Sequence, residues 1–317
     1  MNISKKLSIV FCPEKINSSW ISQSFGELAY SLPDSFFLNI INPVRDLVKR
    51  GGKRWRPLLC VLSCELAEGD SEKAYPLTPL IEFCHTASLV HDDIEDKSDT
   101  RRGAPAAHIK YGLDTALNSA SWLYFEALNP LINYERSESA RAVIYSLYSQ
   151  NLRRLPFRAV YGYRLAFKSR YNSVSRRIHN YDKPKTGSLA KLAGELGFIA
   201  ADKPINEVLE YGKLMTDMGI GFQILDDVKN ITEGNAGKRR GDDIVEGKKS
   251  LPLIFYTEEN PEGAEKIKLL FKQAAKEGIE SPCSRSLDFG YLFFKGCKKG
   301  RRLRQKDCRS FIDKASK

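Results

Sequence analysis

The chain has 317 residues, of which 42% are hydrophobic, and its formal net charge is +11. A chain of this length can bury one large hydrophobic core or two modest ones. The mean hydropathy is −0.38, and no apolar run approaches the roughly 18 residues that a membrane span needs. We therefore expect a water-soluble globular protein without a membrane span.

The elements, taken in chain order, are nearly all helical, because apolar residues recur at helical spacing and period-two alternation is rare. A glycine pair and Pro57 divide residues 43–68 into two helices, and Pro57 suits the first turn of the second. The next strong helix is predicted over 78–97. Residues 113–128 have the composition of a buried helix.

Further along, residues 186–200 carry small side chains at close spacing, which permits tight helix packing, and residues 206–231 form another long helix. A glycine-rich loop and a further helix near residue 250 follow. No linker-like segment interrupts the chain, so we predict an all-α fold in a single domain, residues 1–317. The basic end, residues 295–317, has no convincing helical period.

The segment that opens the chain, MNISKKLSIVFCPEK, has only a short apolar stretch before Pro13. A secretory signal needs roughly 7–15 apolar residues, so we expect a cytoplasmic protein.

The seven cysteines show no CxxC spacing, and no second pair completes a zinc site with Cys60 and Cys64. We expect reduced cysteines that fill a core.

The positive charge is concentrated in two segments. Residues 141–185 contain 11 Lys or Arg and one acidic residue, and residues 295–317 contain 10 and two, so the rest of the chain is acidic overall. Aromatic residues accompany the first segment, but neither segment shows a recognisable nucleic-acid-binding module. We therefore do not expect nucleic acid as a partner; a salt-dependent gel shift would test that alternative.

Two acidic clusters lie near the ends of two predicted helices. The first helix places a histidine, a serine and two carboxylates on one face, with a third carboxylate beside it. These residues are His85, Ser88, Asp92 and Asp96, with Asp93 beside them. The second helix carries a similar face, formed by Gln223, Asp226, Asp227 and Asn230. Such carboxylates are costly to bury unless a cation neutralises them.

Oxygen ligands without His or Cys select hard cations, and Mg²⁺ in particular shares its shell with water and substrate phosphates. A single DDxxD motif usually marks a solvated helix end, whereas two clusters with basic residues nearby indicate a metal site. Those basic residues include Lys53, Arg56, Arg101, Arg102, Lys185, Lys238 and Lys248. Mg²⁺ and cations together suit a substrate that carries one or more diphosphates.

Five segments in order resemble the motifs of the trans-isoprenyl diphosphate synthases, or polyprenyl synthetases. They are GGKRWRP, LVHDDIEDKSDTRRGAPAAH, KTGSLAKLAGELG, GFQILDDVKN and GKRRGDDIVEGKKSLP. The resemblance covers roughly residues 45–255. It implies an all-α class I isoprenoid synthase bundle around a central cavity, usually assembled as a homodimer.

The resemblance also implies a role for each matched residue. The Mg²⁺ ligands would be Asp92, Asp93, Asp96, Asp226 and Asp227, which form the catalytic set together with Lys185. The allylic prenyl diphosphate would contact Arg101, Lys185, Thr186, Gln223 and Lys238. Isopentenyl diphosphate would contact Lys53, Arg56, His85 and Arg102.

The implied reaction is Mg²⁺-dependent ionisation of the allylic diphosphate, followed by chain elongation with isopentenyl diphosphate. Ala87 and Ser88 precede Asp92 by five and four residues. Bulky aromatics at these positions stop elongation early in this family. Since both side chains are small here, we expect a product longer than C15, such as geranylgeranyl diphosphate or beyond.

The sequence departs from the family at the centre and at the second cluster. Asn230 stands where the family usually has Asp, and Tyr163 and Ala166 stand where Gln and Asp are common. Residues 118–123 lack a Gly-Asp pair often found there. Two alternatives therefore stay open: a non-catalytic or regulatory homologue subunit, and a terpene cyclase or head-to-head synthase of the same fold. The intact aspartates argue against the first, and the isopentenyl diphosphate residues argue against the second.

Overall fold

The computed structural model describes residues 14–25, 33–155 and 187–232. Several sequence predictions fall outside these ranges: the helix near residue 250, the basic end 295–317, and the departures at Tyr163 and Ala166. Three predicted substrate contacts also lie outside them, namely Lys185, Thr186 and Lys238.

Helices provide nearly all the regular structure in the described ranges. The α-helices are α1 (Ser18–Gln23), α2 (Asp34–Lys49), α3 (Trp55–Leu66), α4 (Thr78–Glu95), α5 (Ala107–Tyr111), α6 (Leu113–Glu126), α7 (Glu138–Leu152), α8 (Ser188–Ala200) and α9 (Ile205–Thr232). Short 3₁₀ helices span Glu14–Ile16, Ser71–Lys73, Tyr75–Leu77 and Asn129–Leu131. The one pair of strands within these ranges is β1 (Thr100–Arg101) and β2 (Ala104–Pro105). The all-α prediction is confirmed.

Four of the predicted helices have boundaries that agree with the structure, whereas the first, expected from residue 43, begins at Asp34 and contains Pro43. The helices expected over 78–97, 113–128, 186–200 and 206–231 are α4, α6, α8 and α9, and their ends differ from the prediction by at most two residues. Pro57 is the third residue of α3, where its missing N–H costs no helical hydrogen bond. None of the helices in the described ranges is long and apolar enough to cross a membrane.

The core centres on α4, which packs most extensively against α6. Val90 of α4 lies in a buried cluster with Leu47 of α2, Ala107 of α5, and Ala116 and Ala120 of α6. Burial of one large apolar side chain stabilises a fold by about 1.5–3 kcal/mol. The small alanines of α6 let the longer side chains of α2 and α4 fill this space.

The prediction that residues 113–128 form a buried helix is wrong for half of that helix. The small residues Ala116 and Ala120 of α6 are fully buried, whereas Leu117 and Phe125 are 41% and 76% exposed. The small side chains face α4 because they allow close packing, whereas Leu117 and Phe125 point outward; Leu123 is the large side chain of α6 that is fully buried. The apolar composition of α6 therefore did not predict that its outer face is exposed.

The strand pair was not predicted from the sequence. Arg102 and Gly103 form the two-residue turn between β1 and β2, with φ of 52° and 76°. A hairpin turn with positive φ at both central residues matches the twist of the strands, and glycine adopts this conformation without steric cost. The turn fixes the direction in which the two arginines at 101 and 102 leave the backbone.

The described residues form two compact units. The first contains residues 14–25, 33–148 and 192–212, and the second contains 149–155, 187–191 and 213–232. The single-domain assignment of residues 1–317 stays a prediction.

Gly197 of α8 lies against the backbone of α3. A Cβ atom at this position would lie 2.3 Å from the carbonyl oxygen of Cys60 and 2.6 Å from the Cβ of Ser63. The predicted tight packing of the helix at 186–200 is therefore confirmed at this point, where the two helices approach too closely for any side chain.

We expect Gly197→Ala to lower the free energy of unfolding by about 1–3 kcal/mol, because the added methyl group forces two backbones apart. Helix propensity alone predicts the opposite, a gain of roughly 1 kcal/mol for alanine over glycine. Urea unfolding followed by circular dichroism measures the sign. A stabilised variant would contradict the close approach.

Candidate active site

The first acidic cluster lies in the last turn of α4. Asp92 and Asp96 are half-buried, and the side chain of Asp93 is only 1% exposed. Arg101, on β1, donates from Nε to Oδ1 of Asp93 at 2.8 Å, and a second guanidinium N–H reaches the same oxygen. The carboxylate that the helical pattern placed beside the main face is thus the most buried of the three, and it is paired with Arg101.

The other oxygen of Asp93, Oδ2, is buried and has no hydrogen-bond partner among the described residues. Burial raises the pKa of Asp93, while its hydrogen bond to Arg101 acts in the opposite direction. A buried carboxylate oxygen without a donor costs free energy unless a cation approaches it. The residues present therefore fit a hard cation such as Mg²⁺, with Asp92 and Asp96 as neighbouring oxygen donors.

The hairpin that carries Arg101 is held in place by Arg50, the residue that ends α2. Arg50 donates to the carbonyl oxygens of Arg101 and Pro105, at 3.0 and 2.8 Å, and pairs with Asp46 at 2.7 Å. These bonds fix both strands against the end of α2. The position of Arg101 beside Asp93 is therefore set by backbone contacts as well as by the ion pair.

Arg102 points from the same turn toward α2. Its guanidinium donates to the carbonyl oxygen of Leu47 at 2.9 Å. Burial lowers the pKa of Arg102 to about 10, so the side chain stays charged at neutral pH. A cation at the end of a helix also interacts favourably with the helix dipole.

Of the residues predicted to bind isopentenyl diphosphate, Lys53 lies in the loop between α2 and α3, Arg56 in the first turn of α3, and His85 on α4. The structure places Arg56 and His85 together, with 3.4 Å between a guanidinium nitrogen and Nε2 of the imidazole. Arg56 is buried and lies over the ring of Trp55, whereas Lys53 is exposed. A buried arginine and an exposed lysine suit the inner and outer sides of an anionic group.

The second acidic cluster lies on α9, in the second compact unit. Asp227 is 6% exposed and accepts a hydrogen bond from Nε2 of Gln223 at 2.9 Å, one helical turn away. Asp226 is half-buried. Asn230, the departure from the family pattern, belongs to the same helix near its end. The predicted helical face of Gln223 and the two aspartates is thus present.

In the described ranges, no three His, Cys, Asp or Glu side chains converge into a group that could enclose a metal by themselves. Mg²⁺ commonly binds through one or two carboxylates, with water and substrate oxygens completing its shell.

A buried ion pair near these residues was not predicted from the sequence. Arg54, within the GGKRWRP motif, pairs with Glu82 of α4, and both side chains are 3% exposed. The available signal was a glutamate within the otherwise apolar run 79–84, one helical turn before His85, since such a charge needs a partner.

Comparison with known proteins places these features in a class. The crystal structure of geranylgeranyl pyrophosphate synthetase from Pyrococcus horikoshii matches with a TM-score of 0.77 at 22% identity, over 99% of this chain and 92% of that one. This similarity defines the all-α isoprenoid synthase fold and confirms the predicted fold class.

The family model for polyprenyl synthetases matches residues 39–282 of this chain. The chain therefore belongs to that family. A geranylgeranyl diphosphate synthase of Sulfolobus acidocaldarius is 31% identical over 288 residues, covering 81% of this chain and 87% of that protein. A geranylfarnesyl diphosphate synthase of Aeropyrum pernix is 30% identical over 257 residues, covering 78% and 79%. The resemblance inferred from the motifs is confirmed.

Proposed function

We propose that the chain is a trans-polyprenyl diphosphate synthase that condenses an allylic prenyl diphosphate with isopentenyl diphosphate. The observation that carries the proposal is the Asp93 carboxylate, which is buried with one oxygen bound by Arg101 and the other left for a cation. Membership of the family supports it, and so do relatives named as geranylgeranyl and geranylfarnesyl diphosphate synthases. The same relatives give no support to a non-catalytic subunit or a cyclase.

The proposed Mg²⁺ ligands are Asp92, Asp93 and Asp96 on α4, and Asp226 and Asp227 on α9. When bound, Mg²⁺ supplies positive charge that stabilises the departing diphosphate. The proposed contacts to the allylic diphosphate are Arg101, Lys185, Thr186, Gln223 and Lys238. Those to isopentenyl diphosphate are Lys53, Arg56, His85 and Arg102.

In the proposed reaction the allylic C1–O bond breaks, and the diphosphate leaves with the electron pair. The double bond of isopentenyl diphosphate then attacks C1 and forms the new carbon–carbon bond. The adduct loses one proton, which the released diphosphate accepts, so no basic side chain is required. The arginines and lysines hold the two diphosphates so that the reacting carbons lie close together.

Two further properties belong to the proposal. Cys60, Cys64 and Cys84 are buried free thiols, as expected of a reducing compartment such as the cytoplasm.

A homodimer is supported by the outer face of α6, where Leu113, Leu117 and Phe125 are 52%, 41% and 76% exposed. A second copy of the chain would cover this apolar surface.

Purified protein with Mg²⁺, radiolabelled isopentenyl diphosphate and a C5, C10 or C15 allylic primer is expected to form longer prenyl diphosphates. Asp93→Asn should lower the rate by about 10²-fold or more, because it removes a charge that binds the metal beside the leaving group. Glu72→Gln, at an exposed ion pair, is the control and should keep full activity. Absence of elongation from every primer would overturn the proposal.

We expect the wild-type product to be longer than C15. The variants Ala87→Phe and Ser88→Phe should each give a shorter product than the wild type. Both side chains are buried on α4, one turn or more before Asp92, and a ring there would block the growing chain. Ser88→Phe, nearer the aspartates, should stop elongation earlier than Ala87→Phe. Reversed-phase chromatography of the dephosphorylated products measures the lengths. Unchanged lengths in folded variants would exclude both positions as determinants.

We expect Phe125→Glu to shift the protein from dimer to monomer in sedimentation velocity experiments, because a charge would be buried against the second copy. Ile132→Glu is the matched control, since Ile132 is 63% exposed outside α6. A wild-type monomer, or a dimer that resists Phe125→Glu, would contradict this assignment of the interface.

A further inference from the structure

The loop between α2 and α3 is anchored by one side chain. Arg54 donates to the Glu82 carboxylate and, through its other terminal nitrogen, to the carbonyl oxygen of Val48 at 2.6 Å. Val48 lies near the end of α2, and Glu82 lies in α4. A single buried guanidinium therefore ties the loop to two helices.

The backbone at Arg54 also begins α3. Its φ is 47°, in the left-handed region that a residue with a side chain seldom adopts. Its carbonyl oxygen accepts the N–H of Leu58 at 3.1 Å, which is the first helical bond of α3. Because this conformation is unfavourable by itself, the contacts of the buried side chain are needed to hold it.

The residues on either side of this anchor are proposed substrate contacts. Lys53 immediately precedes Arg54 and is exposed, while Arg56 follows it in the first turn of α3. The partner Glu82 is one helical turn before His85 on α4, and His85 lies 3.4 Å from Arg56. The ion pair thus joins the two segments that carry Lys53, Arg56 and His85.

We infer that Arg54 and Glu82 are positioning residues for isopentenyl diphosphate: their buried ion pair fixes the loop so that Lys53, Arg56 and His85 face one diphosphate. The inference rests on the proposed function. The pair itself does not touch substrate, because both side chains are 3% exposed and face each other. Its loss should weaken binding of isopentenyl diphosphate more than binding of the allylic primer.

The test is the double variant Arg54→Met with Glu82→Met, which removes both charges and so leaves no unpaired buried carboxylate. We expect KM for isopentenyl diphosphate to rise about tenfold, whereas KM for the allylic primer changes less than twofold. Calorimetric titration of the resting protein with isopentenyl diphosphate should show a parallel loss of affinity.

Arg136→Met is the matched control, because Arg136 makes the same two kinds of bond, to the Asp202 carboxylate and to the carbonyl oxygen of Ala200. Both KM values should stay at the wild-type level. If the two KM values of the double variant rise together, or neither rises in a folded protein, the inference is wrong.

If the double variant does not fold, Glu82→Gln takes its place. It keeps the shape of the side chain and one acceptor oxygen, and we expect a KM for isopentenyl diphosphate about threefold higher. An unchanged KM would overturn the inference. A wild-type protein that consumes no isopentenyl diphosphate refutes the proposed function itself, so the two failures are distinguishable.

Discussion

Buried carboxylates on α4 impose the constraint on which the rest of the first unit depends. Glu82 and Asp93 lie about three helical turns apart, and each is almost fully removed from water. Each carboxylate is paired with an arginine from a neighbouring loop, Arg54 for the first and Arg101 for the second. A buried charge without a partner would destabilise the fold by several kcal/mol, on the order of 3–5. The positions of both loops follow from this requirement.

The two ion pairs differ in a way that matters for function. In the first, Arg54 also binds a backbone carbonyl at the end of α2. The second is incomplete, because one oxygen of Asp93 has no donor among the described residues. A pair that also ties its loop to a second helix suits a structural anchor, and a buried carboxylate with an unbonded oxygen suits a place where a cation arrives with the substrate. One helix therefore carries an anchor near its start and the proposed cation-binding carboxylate near its end.

The helices could be predicted from sequence because their apolar residues keep helical spacing and because glycine and proline mark the breaks. The hairpin could not, since two-residue strands contain too few residues to show alternation. The outward face of α6 was also missed: Leu117 and Phe125 look like core residues by composition, and only the packing of α4 against the alanines decides which face is buried. The placement of the proposed site residues along α4 followed from spacing. The link between Arg54 and Glu82 did not, because the two residues are 28 positions apart.

The contact at Gly197 has a consequence for comparing relatives of this chain. The atoms that a Cβ would meet include the backbone oxygen of Cys60 and the backbone nitrogen of Cys64, which no choice of rotamer can move. The residue type at position 197 therefore reports the separation of α3 and α8. Any homologue with alanine or a larger residue there must hold the two helix axes further apart, toward the usual distance of about 8–10 Å. The residue type at this one position therefore predicts a measurable difference in the distance between the two helix axes.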